Sequence, residues 1–529
     1  MADSRDITGK NRKFTGTGSI KVPSGTEAQR VDEAGIFRFN TDTNLAEYYD
    51  GTDWKPIDAP PTIIGFTVDG GSTVTSAEIG RSSGDATLVI QGSNFDVTSG
   101  TVVFEPESGG SNVSVQTITR TSSSSFTVTV TRTDFLEAND PYAIKLTNGS
   151  GLAATLASAI DANEPPAFDV AAGSLGSVFN GVAVGATALD ASATDAEGDT
   201  ITYSVTVGSL PAGLSISSST GYITGTPSAT GTETFTVQAA TDKGNSTREF
   251  SITVGSLPSG GTVTTINTNE KLHAFTSSGT FTNTIASLSV EALLVAGGGG
   301  GGSGQTVCTT NHHCGGGGGA GGLIYKSAET LTTGDKTITV GTGGTGARSE
   351  IDSAGEKGTN TTALGYTTLG GGGGETRNAQ AACGLNPTAL DGGSGGGRSN
   401  TNGRAGNATQ PGSTDGGFGN GGGTGASVAG GGGGGAGAAG LNANDGDGGA
   451  GRQYSTEFGT TYGADSGYFA GGGGGGDGVS NESSPGGPGT DGTGGGGGGG
   501  AGETPSSGDG RGGDGGDGIV LIKYDVANI

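Results

Sequence analysis

The feature that most constrains this chain is glycine, which is concentrated in its second half. The chain has 529 residues and 116 glycines, and 84 of those glycines lie at positions 297–529. Runs of five or more glycines recur there, at Gly297–Gly302, Gly315–Gly319, Gly370–Gly374, Gly430–Gly435, Gly471–Gly476 and Gly494–Gly500. Because glycine loses more backbone freedom on ordering than any other residue, such a region is either a flexible linker or a structure that only glycine fits.

Two apolar segments frame these runs and favour an ordered structure over a linker. Leu288–Ala296 precedes the first run, and Ile519–Tyr524 follows the last. The segments between the runs are diverse and do not repeat glycine and serine. The Gly-X-Y period that would indicate collagen is missing from the sequence.

Polyglycine has an ordered form that satisfies this constraint. Extended threefold helices of the polyproline II type lack internal hydrogen bonds, so they must pack side by side and exchange N–H···O=C bonds, which leaves no room for a Cβ atom. The flanking strands, the six long runs and the intervening loops resemble the polyglycine sandwich of glycine-rich phage adhesins at long tail-fibre tips. That resemblance implies that variable loops at the end of the sandwich contact a host receptor. A structural glycine-rich spacer and a disordered region are the alternatives.

Two segments in this half carry side chains suited to binding. Arg452–Ala470 is the most aromatic, and aromatic faces stack on sugar rings while tyrosine adds a hydroxyl group. Gln305–Cys314 (QTVCTTNHHC) has two adjacent histidines. The candidate receptor-binding residues are therefore Tyr454, Phe458, Tyr462, Tyr468, Phe469, His312 and His313. For the aromatic residues, packing against the loop base or the small sheet is the alternative.

The same Gln305–Cys314 segment has the chemistry of a soft-metal site. Cys308, His312, His313 and Cys314 lie close together in sequence, and Cys383 is available from elsewhere. Against a metal, the C-x₅-C spacing is not a standard zinc spacing, and adjacent residues of an extended chain point to opposite sides. A local Cys308–Cys314 disulfide and unpaired residues are the other interpretations.

Proline-rich hinges at Ala59–Pro61, Asn163–Pro166 and Ser256–Gly261 divide the chain, and short Val, Ile, Thr, Phe and Tyr runs between turn residues indicate strands throughout. We expect an all-β fold: a hairpin module at 1–60, immunoglobulin-like β-sandwiches at 61–162 and 163–256, and a glycine-rich domain at 257–529. The glycine-rich domain would combine packed polyglycine II helices with a small β-sheet.

In the first module, Ile36–Phe39 and Ala46–Tyr49 alternate as paired strands around the turn-rich sequence NTDTN, and Trp54 follows a second turn. A module this small cannot bury enough surface alone, so we expect it to need a partner chain. The pattern resembles hairpin modules of phage tail-fibre and virion structural proteins. That resemblance implies a homotrimer, and contacts with other virion proteins through this module. An ordinary hairpin with a packing tryptophan is the alternative.

Both sandwiches carry family resemblances. LVIQGSNF (Leu88–Phe95) and YAIKLTNGSG (Tyr142–Gly151) resemble the TIG immunoglobulin-like domain. Gly198–Asp242, followed by Phe250–Val254, resembles the cadherin-like immunoglobulin repeats that serve as spacers in bacterial and phage surface proteins. Asp195, Glu197 and Asp199 in TDAEGDT could supply calcium oxygens, with Glu164 and Asp242 nearby if the fold is cadherin-like. A solvated acidic loop is the other interpretation, and no other cofactor is expected.

Composition excludes several classes of function. The net charge of −26 argues against binding to a phosphate backbone, and the sequence has no long apolar stretch for membrane insertion. The start, MADSRDITGKNRK, has no apolar core, so we expect no secretory signal. The sequence lacks the Gly-x-Ser-x-Gly nucleophile elbow, the HExxH metalloprotease motif and the P-loop lysine motif, so we expect no catalysis. A tailspike that cleaves glycans with paired carboxylates is the alternative that the many acidic residues leave open.

These features together predict a phage virion structural protein, a tail fibre or fibre-tip adhesin that assembles in the host cytoplasm and binds the host cell surface. The receptor would be a glycan or an outer-membrane protein, contacted through loops of the glycine-rich domain. A non-receptor virion component, such as a head, neck or decoration fibre, is the alternative.

Overall fold

The computed structural model describes residues 22–529 except 43–44, 58, 83, 268, 307–311, 349–353, 377–388, 400–403, 411–416, 427, 444–445, 478–484 and 502–509. The chain forms two compact units, Met1–Val254 and Gly255–Ile529. Within the described residues the regular structure is almost entirely strand, which confirms the all-β class. The α-helix described, α1 (Ser455–Phe458), is a single turn, and no helix in the described part is long and apolar enough to cross a membrane.

The first module is a four-stranded sheet in chain order, with β1 parallel to β2 and the other pairs antiparallel. Its strands are β1 (Ser24–Gly25), β2 (Phe37–Asn40), β3 (Leu45–Tyr49) and β4 (Trp54–Ile57). Glu47 is buried and accepts from Arg30 at 2.6 Å and from Asn40 at 3.0 Å. The hydrogen bond from Arg30 is the main cause that lowers the pKa of Glu47. The module is thus organised around the buried carboxylate of Glu47, which Arg30 and Asn40 satisfy.

The next segment is a sandwich of two four-stranded sheets, ordered β5-β7-β10-β9 and β6-β12-β11-β8. The strands are β5 (Thr62–Val68), β6 (Ala77–Gly80), β7 (Asp85–Ser93), β8 (Thr101–Pro106), β9 (Val115–Ser122), β10 (Ser125–Thr131), β11 (Tyr142–Thr147) and β12 (Ala153–Asn163). Phe126, Val128 and Val130 of β10 are fully buried, and the threonines between them face outward. The two-residue period of the sequence therefore builds one apolar face of this core.

A second sandwich follows, with sheets β14-β21-β20-β17 and β15-β19-β18 and the short pair β13-β16. Its strands are β13 (Ala167–Phe168), β14 (Gly173–Phe179), β15 (Val184–Asp190), β16 (Ala193–Thr194), β17 (Thr202–Gly208), β18 (Leu214–Ile216), β19 (Tyr222–Gly225), β20 (Gly231–Ala240) and β21 (Asn245–Gly255). Phe235 and Val237 of β20 pack with Phe250 and Ile252 of β21 at the centre of the core.

The C-terminal unit has one six-stranded sheet, ordered β22-β23-β35-β25-β28-β32, and the two-stranded pairs β24-β29, β26-β27, β30-β31 and β33-β34. The strands are β22 (Thr262–Thr265), β23 (Glu270–Phe275), β24 (Gly279–Asn283), β25 (Leu288–Val295), β26 (Gln305–Thr306), β27 (His312–His313), β28 (Leu323–Leu331), β29 (Gly334–Ile338), β30 (Thr361–Ala363), β31 (Tyr366–Thr368), β32 (Gly417–Phe418), β33 (Arg452–Gln453), β34 (Tyr468–Phe469) and β35 (Ile519–Asp525). The two apolar segments that frame the glycine runs are neighbours, since Leu293 of β25 pairs with Leu521 of β35.

The glycine runs pack side by side as threefold helices, and Gly297–Gly302 illustrates their geometry. Its amides donate in rotation to three antiparallel segments, at 2.8–3.1 Å. Gly297 and Gly300 donate to Thr359 and Glu356 of the first segment. Gly298 and Gly301 donate to Gly516 and Gly513 of the second, and Gly299 and Gly302 donate to Gly319 and Gly316 of the third. Every third residue therefore returns to the same neighbour, which is the repeat of a polyglycine II helix.

The carbonyl groups of the same run accept from three further segments that lie parallel to it. Gly371 and Gly374 donate to Gly297 and Gly300, Gly344 and Ala347 to Gly298 and Gly301, and Gly497 and Gly500 to Gly299 and Gly302. The run thus has six neighbours and all its backbone groups are satisfied, as buried backbone requires. A Cβ at any of its six positions would lie within 3.0 Å of a neighbouring carbonyl oxygen, which explains the restriction to glycine.

This arrangement, which we call the glycine lattice, has two distinct ends. The end at Gly297, Thr359 and Gly371 is the sheet end, because β25 leads directly into it. The opposite end, at Gly302, Gly316 and Glu375, is the loop end; there Gly302 donates to Gly316 and Gly316 donates to Glu375.

Candidate functional site

Many of the segments that connect neighbouring runs are held at the loop end. Gly304 donates to Gly510 and Gly315 donates to Gly500, at 2.8 and 2.9 Å, so the intervening Gln305–Cys314 segment begins and finishes there. By the same hydrogen-bond pattern, the described residues on both sides of positions 349–353, 427, 478–484 and 502–509 lie at this end, as do the residues that directly precede positions 377–388 and 400–403. The loop end therefore gathers stretches that are distant in sequence onto one rigid support.

A buried polar network closes the loop end beneath these segments. The Nε atom of Arg398 donates to Oε2 of Glu375 at 3.2 Å, and the amide of Ser399 donates to the same oxygen at 3.1 Å. The Ser303 amide donates to the hydroxyl of Thr376 at 2.9 Å. Burial raises the pKa of Glu375, while Ser399 and Arg398 act to lower it. The network ties together the bases of the segments that start at 304, 376 and 399.

Sequence reasoning missed this network, although a signal was present. Glu375 directly follows the run Gly370–Gly374, and Arg398 directly follows Gly395–Gly397. Two charges of opposite sign at the same end of two glycine runs are partners if the runs pack side by side in register. Both side chains are almost completely buried, with 4% and 1% exposure.

The predicted residues His312 and His313 lie at the loop end. They form β27, which pairs with β26 so that His313 opposes Gln305 and His312 opposes Thr306. Cys314 is buried and its thiol donates to the carbonyl of Val428 at 3.3 Å. Cys308 and Cys383 lie outside the described residues, so the metal, disulfide and unpaired interpretations of this segment remain predictions.

The aromatic segment lies at the sheet end, and burial contradicts a receptor-contacting role for three of its rings. Tyr454, Phe458 and Phe469 are 5%, 1% and 1% exposed and pack in one core with Leu293, Leu521 and other sheet residues. Tyr462 packs partly against this core, and Tyr468, at 40% exposure, faces solvent. These rings cover an apolar face of the sheet, because β33 and β34 fold the segment back so that Arg452 opposes Phe469.

The candidate calcium residues lie on one turn of the second sandwich. The Asp199 amide donates to Oδ1 of Asp195 at 2.9 Å, and Asn163 donates through Nδ2 to Asp199 at 2.9 Å. Glu197 is largely exposed, but partial desolvation of its carboxylate, together with the nearby charges of Glu137, Asp195 and Asp199, raises its pKa. Within the described part of the chain, no three His, Cys, Asp or Glu side chains are grouped to hold a metal, so Asp195, Glu197 and Asp199 alone are not a preformed site.

Two protein families match this chain over separate regions. Residues 276–525 match the family described as "Glycine-rich domain". Residues 175–255 match the family described as "Putative Ig domain". No curated protein matches the sequence.

Similar solved structures are multidomain immunoglobulin and cadherin proteins. The titin I-band fragment I67–I69 is 12% identical, with 44% of this chain and 80% of the fragment covered at a TM-score of 0.24. Protocadherin gamma B2 cadherin domains 3–6 are 15% identical, with 42% and 58% covered at 0.19. Extracellular domains 3–5 of Drosophila OTK are 13% identical, with 37% and 60% covered at 0.21.

The fold and the two family matches together define the class of this protein. It is an all-β protein of adhesion or structural type, in which immunoglobulin-like sandwiches are joined in series to a glycine-rich domain.

Proposed function

We propose that this chain is a bacteriophage virion structural protein, a tail fibre or fibre-tip adhesin that binds a host cell-surface receptor at the loop end of the glycine lattice. The observation that carries the proposal is the convergence of many connecting segments on the end of the lattice opposite the sheet. Binding residues are commonly presented by loops on a rigid scaffold. A lattice in which a run such as Gly297–Gly302 is hydrogen-bonded to six neighbouring segments is such a scaffold.

The chemistry of the loop-end segments supports the same role. They contain histidine, cysteine, asparagine, threonine and charged residues, whereas the runs between them are glycine alone. In the sequence, residue types able to bind a glycan or a protein are therefore concentrated between the glycine runs. His312 and His313 remain candidate contacts, and the buried Glu375–Arg398 pair positions the segments beside them.

The other parts of the chain fit an assembly role. The two sandwiches serve as spacers, and the N-terminal module joins the virion and forms a homotrimer. This module supports such a role because its buried residues include Arg38, Asn40 and Glu47, while Phe37, Tyr48 and Ile57 are exposed. An apolar surface of this kind on a small module is suited to a partner chain. The proposed function involves no catalysis.

The test is binding of the full chain to cells of candidate bacterial hosts. In one variant Gln305–Cys314 is replaced by a glycine–serine segment of equal length, and in a matched variant residues 459–466 at the sheet end are replaced in the same way. We expect saturable binding by the wild-type chain, reduced binding by the loop-end variant and unchanged binding by the sheet-end variant.

The control is the thermal unfolding of the C-terminal unit, which must be unchanged in a variant before its loss of binding is interpreted. Loss of binding only in the sheet-end variant would overturn the assignment of the loop end. If the folded wild-type chain binds no host that the phage infects, the chain would instead be a non-receptor component, such as a head, neck or decoration fibre.

A further inference from the structure

The glycine lattice has an open groove along the run Gly494–Gly500. The backbone hydrogen bonds of this run lead to five neighbours, which are Gly297–Gly302, Gly315–Gly319, Gly471–Gly476, residues 486–489 and residues 512–516. The carbonyl groups of Gly496 and Gly499 have no hydrogen-bond partner among the described residues. Because every third residue of such a helix faces the same side, both carbonyls face one side of the run, where the structure describes no neighbouring segment.

The adjoining run Gly471–Gly476 presents donors to the same groove. The amides of Gly471 and Gly474 have no partner in the described part of the chain, while the carbonyls of these two residues accept from Gly496 and Gly499. In the lattice, the amide and the carbonyl of one residue lead to adjacent neighbours. The two amides therefore lie on the side of their run that is next to Gly496 and Gly499.

These groups meet in one groove of about 440 Å³. Its lining includes Gly474, Gly496 and Gly499, and a third segment borders it with Gly487 and Pro488. The amide of Gly487 is a further donor without a partner among the residues that the structure describes. Gly474 and Gly487 are exposed, so the groove is open to solvent.

The spacing of these groups specifies what fits the groove. An occupant must donate from amides that are three positions apart and accept on carbonyls that are three positions apart. A β-strand repeats every two residues, and an α-helix uses its backbone groups internally. A chain in the polyglycine II conformation has the required period, and its backbone groups are free to bond to neighbours.

Segments at the rim of the lattice show what sequence such an occupant has. Residues 341–346 read GTGGTG, with Thr342 and Thr345 exposed, and residues 512–518 read GGDGGDG, with Asp514 exposed. A Cβ at any glycine of 341–346 would lie within 3.0 Å of a neighbouring carbonyl oxygen. A rim segment therefore needs glycine at two of every three positions and presents the third residue to solvent.

We propose that this groove binds an extended segment of a partner protein with a Gly-Gly-x repeat, which joins the lattice as an additional polyglycine II helix. Two amides of the segment donate to the carbonyls of Gly496 and Gly499, and two of its carbonyls accept from Gly471 and Gly474. The long glycine runs of this chain are already hydrogen-bonded within the lattice, so the segment belongs to another protein. The inference does not depend on the proposed adhesin function, because the lattice presents this groove in any kind of fibre.

The test uses the full chain and a synthetic peptide with a Gly-Gly-Thr repeat. Because ordering a flexible peptide is costly, the peptide is added at millimolar concentration. Hydrogen exchange measured by NMR follows the amides of Gly471 and Gly474, which should exchange rapidly in the free chain. We expect their exchange to slow about tenfold when the peptide is at about ten times its dissociation constant. A control peptide of the same composition, in which threonine does not recur at every third position, should have no effect.

Gly474→Pro removes one donor from the groove without breaking a hydrogen bond of the described structure. Proline fixes φ near about −65°, which suits the polyglycine II conformation, and a Cβ at Gly474 would have only the Gly446 carbonyl oxygen within 4 Å, at 3.8 Å. Gly421→Pro is the matched control, because the Gly421 amide also has no described partner but does not line the groove. In calorimetric titration we expect Gly474→Pro to weaken peptide binding about tenfold or more and Gly421→Pro to leave it unchanged.

Several results would overturn the proposal. Amides of Gly471 and Gly474 that are already protected in the free chain would show that another segment of this chain fills the groove. Self-association of the wild-type chain that Gly474→Pro abolishes would assign the groove to a second copy. No binding of the repeat peptide, or equal binding of the two peptides, would show that the three-residue period is not recognised. If Gly474→Pro does not fold, the exchange of the two wild-type amides with and without the repeat peptide decides the question.

Discussion

Arg398 and Glu375 form an ion pair buried at the loop end of the glycine lattice, with Nε 3.2 Å from Oε2. The two residues are 23 positions apart and follow different glycine runs. Their contact fixes the relative register of those runs at the end where the connecting segments start. The stability of the loop end therefore depends on a pair that has no access to solvent.

Replacing Arg398 by methionine should strongly destabilise the C-terminal unit. The substitution leaves the Glu375 carboxylate buried without its cation, which costs about 3–5 kcal/mol in comparable buried pairs. Arg404→Met is the matched control, because Arg404 pairs with Asp391 at 2.6 Å but is 45% exposed, and exposed pairs contribute about 0–1 kcal/mol. Calorimetric unfolding of the C-terminal unit in the full chain measures both. Equal losses in the two variants would contradict the prediction.

Adding one methyl group inside the lattice should be far more damaging than adding it at the rim. A Cβ at Gly318 would lie within 3.0 Å of the Gly299 carbonyl oxygen, whereas a Cβ at Gly487 would have no atom within 4 Å. We expect Gly318→Ala to lose about 1–3 kcal/mol or more from overpacking. Gly487→Ala should change stability by no more than about 0.5 kcal/mol. Thermal unfolding of the two variants compares them, and similar melting temperatures would show that the lattice is not closely packed.

The buried His273 should make the C-terminal unit less stable as the pH falls below neutrality. Its Nδ1 donates to the carbonyl of Gly260 at 2.7 Å, its ring packs edge-on against Phe281, and burial lowers its pKa. In the unfolded chain histidine takes up a proton near pH 6.5, so below about that pH the unfolded state binds more protons than the folded state. The free energy of unfolding therefore decreases from pH 7 towards pH 5.

His273→Phe is neutral at every pH and tests this assignment. The variant should show a shallower fall in unfolding free energy over the same range, even if the lost hydrogen bond lowers its stability at pH 7. Denaturant unfolding at a series of pH values gives both curves. Parallel curves for the two proteins would exclude His273 as the source of the dependence.

Two aromatic substitutions should separate core packing from surface exposure in the segment 452–470. Phe458 is buried against Tyr325 and the sheet, so Phe458→Ala should cost about 3–5 kcal/mol through the cavity it leaves. Tyr468 is exposed, and Tyr468→Ala should alter stability by no more than about 0.5 kcal/mol. Cell binding per folded molecule should be unchanged in both, since the segment lies at the sheet end. Reduced binding by the folded Tyr468→Ala variant would return the receptor site to this segment.

Local sequence patterns were sufficient for much of the fold. Phe126, Val128 and Val130 alternate with threonine, and that alternation fixes which face of β10 enters the core. Framing of the glycine runs by β25 and β35 indicated an ordered domain, and the two strands are hydrogen-bonded neighbours. Both conclusions needed only the period of a strand and the apolar character of a segment.

The functional assignments depended more on long-range structure. The aromatic residues of 452–470 have the same spacing whether they bind a ligand or cover a sheet, so their burial was not decided locally. Glu375 and Arg398 were missed because their pairing exists only after two runs have packed together.

The sequence by itself determined that this protein is built from strands and that its glycine runs must pack without side chains. The alternation of apolar and polar residues and the lack of a Cβ atom are properties of the local sequence, so their effect does not depend on the surrounding fold. Tertiary structure decided which six segments surround Gly297–Gly302, which end each connecting segment occupies, and which charges are brought together. Every glycine in a run is chemically identical, so the choice of neighbours is made by the strands and loops at the ends of the lattice and not by the runs themselves.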